Sequence, residues 1–311
     1  MLRLIIATIT FGLLLILNMA NGDKPEAYEE LEKPIRVIIN GQHQHFDTPP
    51  FMDDGRVMIP LMESIYAMDI AVAPSLFAYA VVAYERLYVP AHLLAETAGA
   101  EIAWRSETRT IAIAARWEYT YLPTRQMLLI RNSHVRTEEI SHIVVHFTSN
   151  MRRNPKNPHV VEDVAQLLLR YGVSAHYIID RNGVIYMSVP ENFVAFHAGR
   201  GALEDFPHVE NRLNHYSIGI ELLGIGTFEE MSVIVPTLTQ EEYDQIPSIH
   251  IGFTDAQYTA LNMLINDILL RNPSITPNRH HIIGHDEYAT GRRTDPGELF
   301  DWSRLELLGG R

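Results

Sequence analysis

Between residues 140 and 284 the chain alternates short apolar runs with segments of helical spacing, and few architectures accommodate that order. Residues 140–147 are apolar and read as a strand. Residues 160–171 carry apolar side chains at helical spacing and stop at Gly172, a favoured residue just past a helix end. A hairpin is predicted over 176–179 and 184–189, with Asn182-Gly183 as its turn. Residues 217–222 form the next strand, 254–270 a long amphipathic helix with Thr254 as its N-cap, and 281–284 a last short strand. Strands interleaved with helices bury their apolar faces as a mixed sheet covered by helices, so the expected class is α/β. This unit is taken to run from 136 to 305.

The chain ahead of it reads differently. Residues 35–117 contain an imperfect repeat, in which Arg56-Val57-Met58-Ile59-Pro60 returns as Arg86-Leu87-Tyr88-Val89-Pro90. Each copy is a short strand running into proline and then a helical segment, 61–68 and 91–98, and proline is tolerated in a first helical turn. Residues 100–104 and 110–114 read as a hairpin. A small α+β domain is expected here, with the apolar stretch 70–84 as a buried segment. Residues 118–135 are expected to connect the two units, and 23–34 to be a linker. At the start, Arg3, an apolar run over 4–17 and the small residues Ala20 and Gly22 describe a signal peptide over 1–22, the alternative being an uncleaved anchor helix. The run is shorter than the roughly 20 residues needed to span a bilayer.

The 311 residues include no cysteine. Disulfides are excluded, and any bound metal must be held by His, Asp or Glu. A net charge of −13 argues against electrostatic nucleic-acid binding.

Three places along the chain carry chemistry. His146 closes the strand 143–145 ahead of Thr148-Ser149, where it either projects into a cleft or merely ends the strand. His285 follows the last strand, in Gly284-His285-Asp286-Glu287. Asp295 lies beyond Gly291, in a loop without an apolar run that can fold back beside His285. Two nitrogens and one carboxylate leave a fourth tetrahedral position open, the design of a catalytic zinc site. The alternative for Asp295 is a turn cap ahead of Pro296.

These residues carry a resemblance. "IVVHFTS" at 143–149, "VSAHYIIDRNGVIY" at 173–186, "AFHAG" at 195–199, "SIGIELLG" at 217–224, "FTDAQYTAL" at 253–261 and "IIGHDEYATGRRTDPG" at 282–297 are similar, in order, to the type 2 N-acetylmuramoyl-L-alanine amidases, relatives of peptidoglycan recognition proteins. The resemblance implies zinc held by His146, His285 and Asp295, with Glu221 as general base. It implies hydrolysis of the amide between N-acetylmuramic acid and L-alanine, with peptidoglycan or muropeptides as partners. Glu221 would pass a water proton to the leaving alanine nitrogen, and Arg293 would help hold the oxyanion. Arg293 replaces the family's usual lysine; it keeps the charge but is planar and does not lose its proton. His176 and His197 also lie in family motifs and are expected to bind substrate or to sit behind the ligands. The rival reading is a non-catalytic peptidoglycan-binding protein of the same fold. Such receptors usually lack a zinc ligand, and this chain keeps all three. No His-Glu-x-x-His motif supports a peptidase instead.

The repeat and the segment "LAETAGAEIAWRSETRTIAI" at 94–113 resemble the copper amine oxidase N-terminal-like domain. The resemblance implies a stalk or wall-associating module and no copper, since His43, His45 and His92 form no ligand cluster. A secreted or wall-associated protein is expected, without a stable membrane partner beyond the signal segment; the oligomeric state is not legible.

Overall fold

The computed structural model describes residues 33–71, 73–118, 120–127 and 129–307, together with the backbone of residues 3–4. The rest of the expected signal peptide and most of the expected linker lie outside the described residues. The chain divides into two compact units, Met1–Arg116 and Trp117–Arg311.

In the first unit the repeat becomes a local symmetry. Strand β4 (Arg56–Pro60) leads into helix α1 (Leu61–Met68), and β6 (Arg86–Pro90) into α2 (Ala91–Ala98). β4 and β6 pair antiparallel with Ile59 opposite Val89, so equivalent residues of the two copies meet. β3 (Phe51–Asp53) and β5 (Val81–Ala83) flank them, and residues 3–4 pair with β5. A second sheet has the order β2-β1-β8-β7, from Arg36–Ile39 (β1), Gln42–Gln44 (β2), Glu101–Arg105 (β7) and Thr110–Ala114 (β8). The stretch 70–84 is not the buried segment its composition suggests. Among its described residues Leu76 and Ala80 are buried in the core and Ile70 and Ala73 pack against it half-buried, while Phe77, Tyr79 and Tyr84 are exposed, because a short 3-10 helix over Pro74–Tyr79 turns just one face inward.

The second unit is built on a six-stranded sheet of order β9-β13-β12-β15-β11-β16. Its strands are β9 (Arg125–Gln126), β11 (His142–Thr148), β12 (Tyr177–Ile179), β13 (Ile185–Met187), β15 (Ser217–Leu223) and β16 (Ile282–Gly284). β12, β15, β11 and β16 are mutually parallel, and β13 runs antiparallel to β12. Residues 118–135, expected as a connector, are part of this unit. β9 pairs with β13, and β10 (Ser133–Val135) pairs with β14 (Phe193–Ala195). Backbone pairing with distant residues is invisible in so short and polar a stretch.

Alternation along β11 assigns its two faces. Ile143 and Val145 join Ile218, Ile220 and Leu222 of β15 in a core shared with Tyr258, Leu261, Leu264 and Ile268 of the long helix α6 (Asp255–Arg271). Val144 and Ile283 point the other way and pack against Ala198, Val209, Leu213 and Tyr288. His146 and Glu221 share that second face. Helix α3 (Val161–Tyr171) ends at Gly172 in the left-handed conformation that glycine adopts without strain. Thr254 and Gln257 form a capping box at the start of α6, and Gln257 Nε2 donates to the carbonyls of Leu223 and Ile179, tying the helix to two strand ends. Residues 225–252 contain helices α4 (Phe228–Ile234) and α5 (Gln240–Asp244), each with its own capping box.

Candidate metal centre

The carboxyl ends of parallel strands are where open α/β sheets place ligands. β11 delivers His146 there, β15 delivers Glu221 as its register partner, and β16 runs through Gly284 into α7 (His285–Tyr288), which starts with His285. The 291–298 loop folds back, and the backbone N–H of Asp286 donates to the carbonyl of Asp295 at 2.9 Å. That bond sets Asp295 beside His285.

Three atoms converge as a result. His146 Nδ1 lies 2.7 Å from Asp295 Oδ2 and 3.1 Å from His285 Nδ1, and His285 Nδ1 lies 3.0 Å from the same Oδ2. A tetrahedral ion with bonds of about 2.0–2.1 Å separates its ligands by roughly 3.3 Å, so these atoms form a slightly contracted face of such a tetrahedron. Among the described residues they are the group suited to hold a metal. His285 Nε2 donates to the carbonyl of Ala198 at 2.8 Å, which leaves its Nδ1 lone pair for a cation.

Electrostatics agree with the geometry. Burial, with the charge of His285 next, lowers His146 to about 4, so it is neutral near pH 7 and free to ligate. Burial alone would raise the Asp295 carboxyl, but the imidazoles of His146 and His285 beside it outweigh burial and hold the group well below the usual carboxylate range.

Glu221 stands one strand from His146. It is buried, and its Oε2 has no hydrogen-bond partner. Burial first, and the charge of Asp295 second, push its carboxyl well above 4.5, while Arg293 partly offsets them. Arg293 itself is exposed, and its guanidinium makes no hydrogen bond to a described residue. Its neighbour Arg292 is spent on structure, bonding the carbonyls of Ala198 and Arg200.

His176 and His197 are both buried. His176 is fully buried; its Nδ1 accepts from the backbone N–H of Gly219 at 2.9 Å, and its Nε2 faces the Phe193 carbonyl at 3.1 Å. His197 is also buried, with Nδ1 3.0 Å from His146 Nε2. Of the two places their motifs allow, contact with substrate or a seat behind the ligands, His197 holds the second, against the imidazole of His146. His280 pairs with Asp205 and His281 with the Ser141 carbonyl, away from the site. Sequence reasoning missed Glu230, whose Oε1 accepts from the Glu298 N–H at 2.8 Å and so fastens α4 to the loop that carries Asp295. The pairing of Thr227 with Glu230 was the available signal, a capping box read by spacing.

Comparison with known proteins places this unit. Residues 136–298 match the family described as N-acetylmuramoyl-L-alanine amidase. The 1,6-anhydro-N-acetylmuramyl-L-alanine amidase AmpD of Citrobacter freundii is 35% identical over 136 residues, which are 44% of this chain and 57% of that protein. AmpD of Haemophilus influenzae is 38% identical over 42% of this chain and 56% of its own length. The N-acetylmuramoyl-L-alanine amidase AmiD of Escherichia coli is 33% identical over 44% of this chain and 45% of its own length. The chain thus spans about half the length of the curated relatives it matches. The family match covers more than half of the 311 residues, and the chain belongs to the N-acetylmuramoyl-L-alanine amidase family.

Proposed function

We propose that the second unit is a zinc-dependent amidase that hydrolyses the bond between N-acetylmuramic acid and L-alanine in peptidoglycan or in muropeptides released from it. The observation that carries this reading is the triangle of His146 Nδ1, His285 Nδ1 and Asp295 Oδ2 beside the unpartnered carboxyl of Glu221. Two imidazole nitrogens and one carboxylate oxygen are a donor set of catalytic zinc sites. Zinc, when bound, supplies Lewis acidity and brings the pKa of water towards about 7.

The chain's own residues do the rest. A carboxyl with a raised pKa is suited to take a proton near neutral pH and give it back. Glu221 therefore accepts the proton of the attacking water and returns it to the alanine nitrogen as the amide breaks. Arg293 keeps its donors free, and they serve the oxyanion that develops on the lactyl carbonyl of muramic acid. The anhydro sugar in the names of the AmpD relatives belongs to those proteins; the bond proposed here is common to their names and that of AmiD.

The first unit is proposed as a wall-associating stalk on the sequence resemblance, and the protein as secreted on that resemblance and the signal-peptide pattern of residues 1–22. The test of the amidase reading uses the full chain with purified peptidoglycan and with anhydromuropeptide, plus zinc or chelator, and mass spectrometry of the products. New free L-alanine amino groups that vanish in His285→Ala support it. Tight binding without release would replace it with a receptor.

A further inference from the structure

The chain is acidic, with a net charge of −13, yet the loop that leaves β11 carries Arg152, Arg153 and Lys156. All three are exposed, and none pairs with a carboxylate of a described residue. Like charges held so close repel one another, and an anion among them relieves that repulsion.

The loop is a built element. Met151 is buried with Phe147, Ile225 and Met231, which turns the residues after it outward. The Asn150 N–H donates to the Pro158 carbonyl at 2.8 Å, and the Asn154 N–H to the Asn150 carbonyl at 2.8 Å. Asp163, in the first turn of α3, accepts from Asn150 Nδ2 at 3.3 Å and from Asn154 Nδ2 at 3.1 Å. The carboxylate packed on the loop is thus engaged with amides and neutralises no cation. His159 Nε2 donates to the His250 carbonyl at 3.1 Å, and the Gly252 N–H to the carbonyl of Ile225, just past β15. These ties hold the loop at the carboxyl ends of β11 and β15, the end that carries His146 and Glu221. Arg152 follows His146 closely in the chain, so their Cα atoms are at most about 22 Å apart, and the turn at Asn150 shortens that span. An extended peptide of three to five residues covers roughly 10–18 Å. A peptide held with its first amide at the metal centre therefore has the length to reach these cations.

We propose that Arg152, Arg153 and Lys156 form a subsite for the carboxylates of the peptide on the leaving side of the amide, so that peptides with free carboxyl groups are preferred. The C-terminus of the peptide is one such anion whatever its sequence. Arginine meets a carboxylate through two parallel N–H donors, and lysine as a point charge. The identity of the substrate rests on the amidase reading above.

The test uses the full chain, as wild type and with Arg152→Ala, Arg153→Ala and Lys156→Ala combined. Two N-acetylmuramyl tripeptides serve as probes, identical except that the carboxyl groups of one are free and those of the other amidated. KM is measured with zinc, and Kd by calorimetry with chelator, where no turnover occurs. The wild type should favour the free peptide roughly 10- to 100-fold in both, since each exposed ion pair contributes about two- to fivefold. The triple variant should reduce that preference to within about twofold. Raising salt from about 50 mM to about 500 mM should erode it in the wild type, because exposed pairs are screened. Equal handling of the two peptides by the wild type, or a preference that survives the triple substitution, overturns the proposal. If the triple variant does not fold, a wild-type preference that high salt leaves intact overturns it instead, and one that salt abolishes supports it. Binding of polyphosphate alongside equal binding of the two peptides would assign the loop to a phosphate polymer and overturn it too. Should the wild type cleave neither peptide, the amidase reading fails, while the binding comparison still decides the subsite.

Discussion

His146 and Glu221 are direct register partners on adjacent parallel strands, so their side chains leave the same face of the sheet side by side. A metal-capable imidazole and a buried carboxyl are therefore set by backbone pairing alone. Glu221→Gln keeps the shape and removes the proton acceptor. Turnover should fall by roughly 10²- to 10⁴-fold, the usual worth of general base catalysis, with zinc content unchanged. Loss of zinc together with activity would show that Glu221 serves the metal site instead.

The same variant has a pH signature in the metal-free protein. Folding raises the Glu221 carboxyl well above 4.5, so the native state disfavours the carboxylate. The penalty is absent below pH 4.5 and grows as pH rises towards the folded value. Glu221→Gln should melt higher than the wild type at pH 7, and the difference should close by pH 4. Equal melting temperatures across that range would contradict the burial of an unpaired carboxyl.

Arg293 is exposed and its guanidinium bonds to no described residue, so it has no structural duty to lose. Arg293→Ala should lower kcat by roughly 10- to 1000-fold if the group meets a developing oxyanion, and leave melting and zinc content near wild type. A parallel loss of zinc would assign it to the fold. Arg293→Lys retains charge and should recover part of the rate.

Glu230 joins α4 to the metal loop through the N–H groups of Thr227 and Glu298. Glu230→Ala removes a capping interaction and leaves two part-buried donors without their partner, at a cost of about 1–2 kcal/mol in denaturant unfolding. It should also weaken zinc binding, because Asp295 rides on the freed loop. A stability change without any change in zinc affinity would confine Glu230 to capping.

His142 lies at the other end of β11, with Nε2 buried and unpartnered. Burial first, then His281 and His208, lower it from 6.5 to about 3. The unfolded chain binds its proton more readily, so stability is full above pH 6.5 and is lost as pH falls towards 3. At pH 5 the loss is about 2 kcal/mol from this group alone. His142→Gln should flatten the stability curve between pH 6.5 and 4, measured by denaturant unfolding; an unaltered slope would assign the acid sensitivity to other groups.

Local signals explain what was legible. Gly172 ends α3 and Thr254 caps α6 because such signals act within one turn of backbone. The apolar runs at 143–145 and 282–283 mark strands buried on both faces, and the residues that follow them, His146 and His285, fall at the strand ends where a site forms. Residues 118–135 carry no such local signal, because their short elements are stabilised by partners far along the chain, such as β13 for β9.

The sequence by itself determined the longer strands and helices of the second unit, the exclusion of cysteine ligands, and the three metal-capable residues, since each depends on residue type and short-range spacing. Tertiary structure alone decided that one carboxylate oxygen sits within 3.0 Å of two imidazole nitrogens, that Glu221 is buried without a partner, and that His197 sits behind the ligands, against the imidazole of His146. Those outcomes depend on strand register, on the fold-back of the 291–298 loop and on the close approach of the His197 ring to Gly219, all of which arise from contacts between residues distant in sequence.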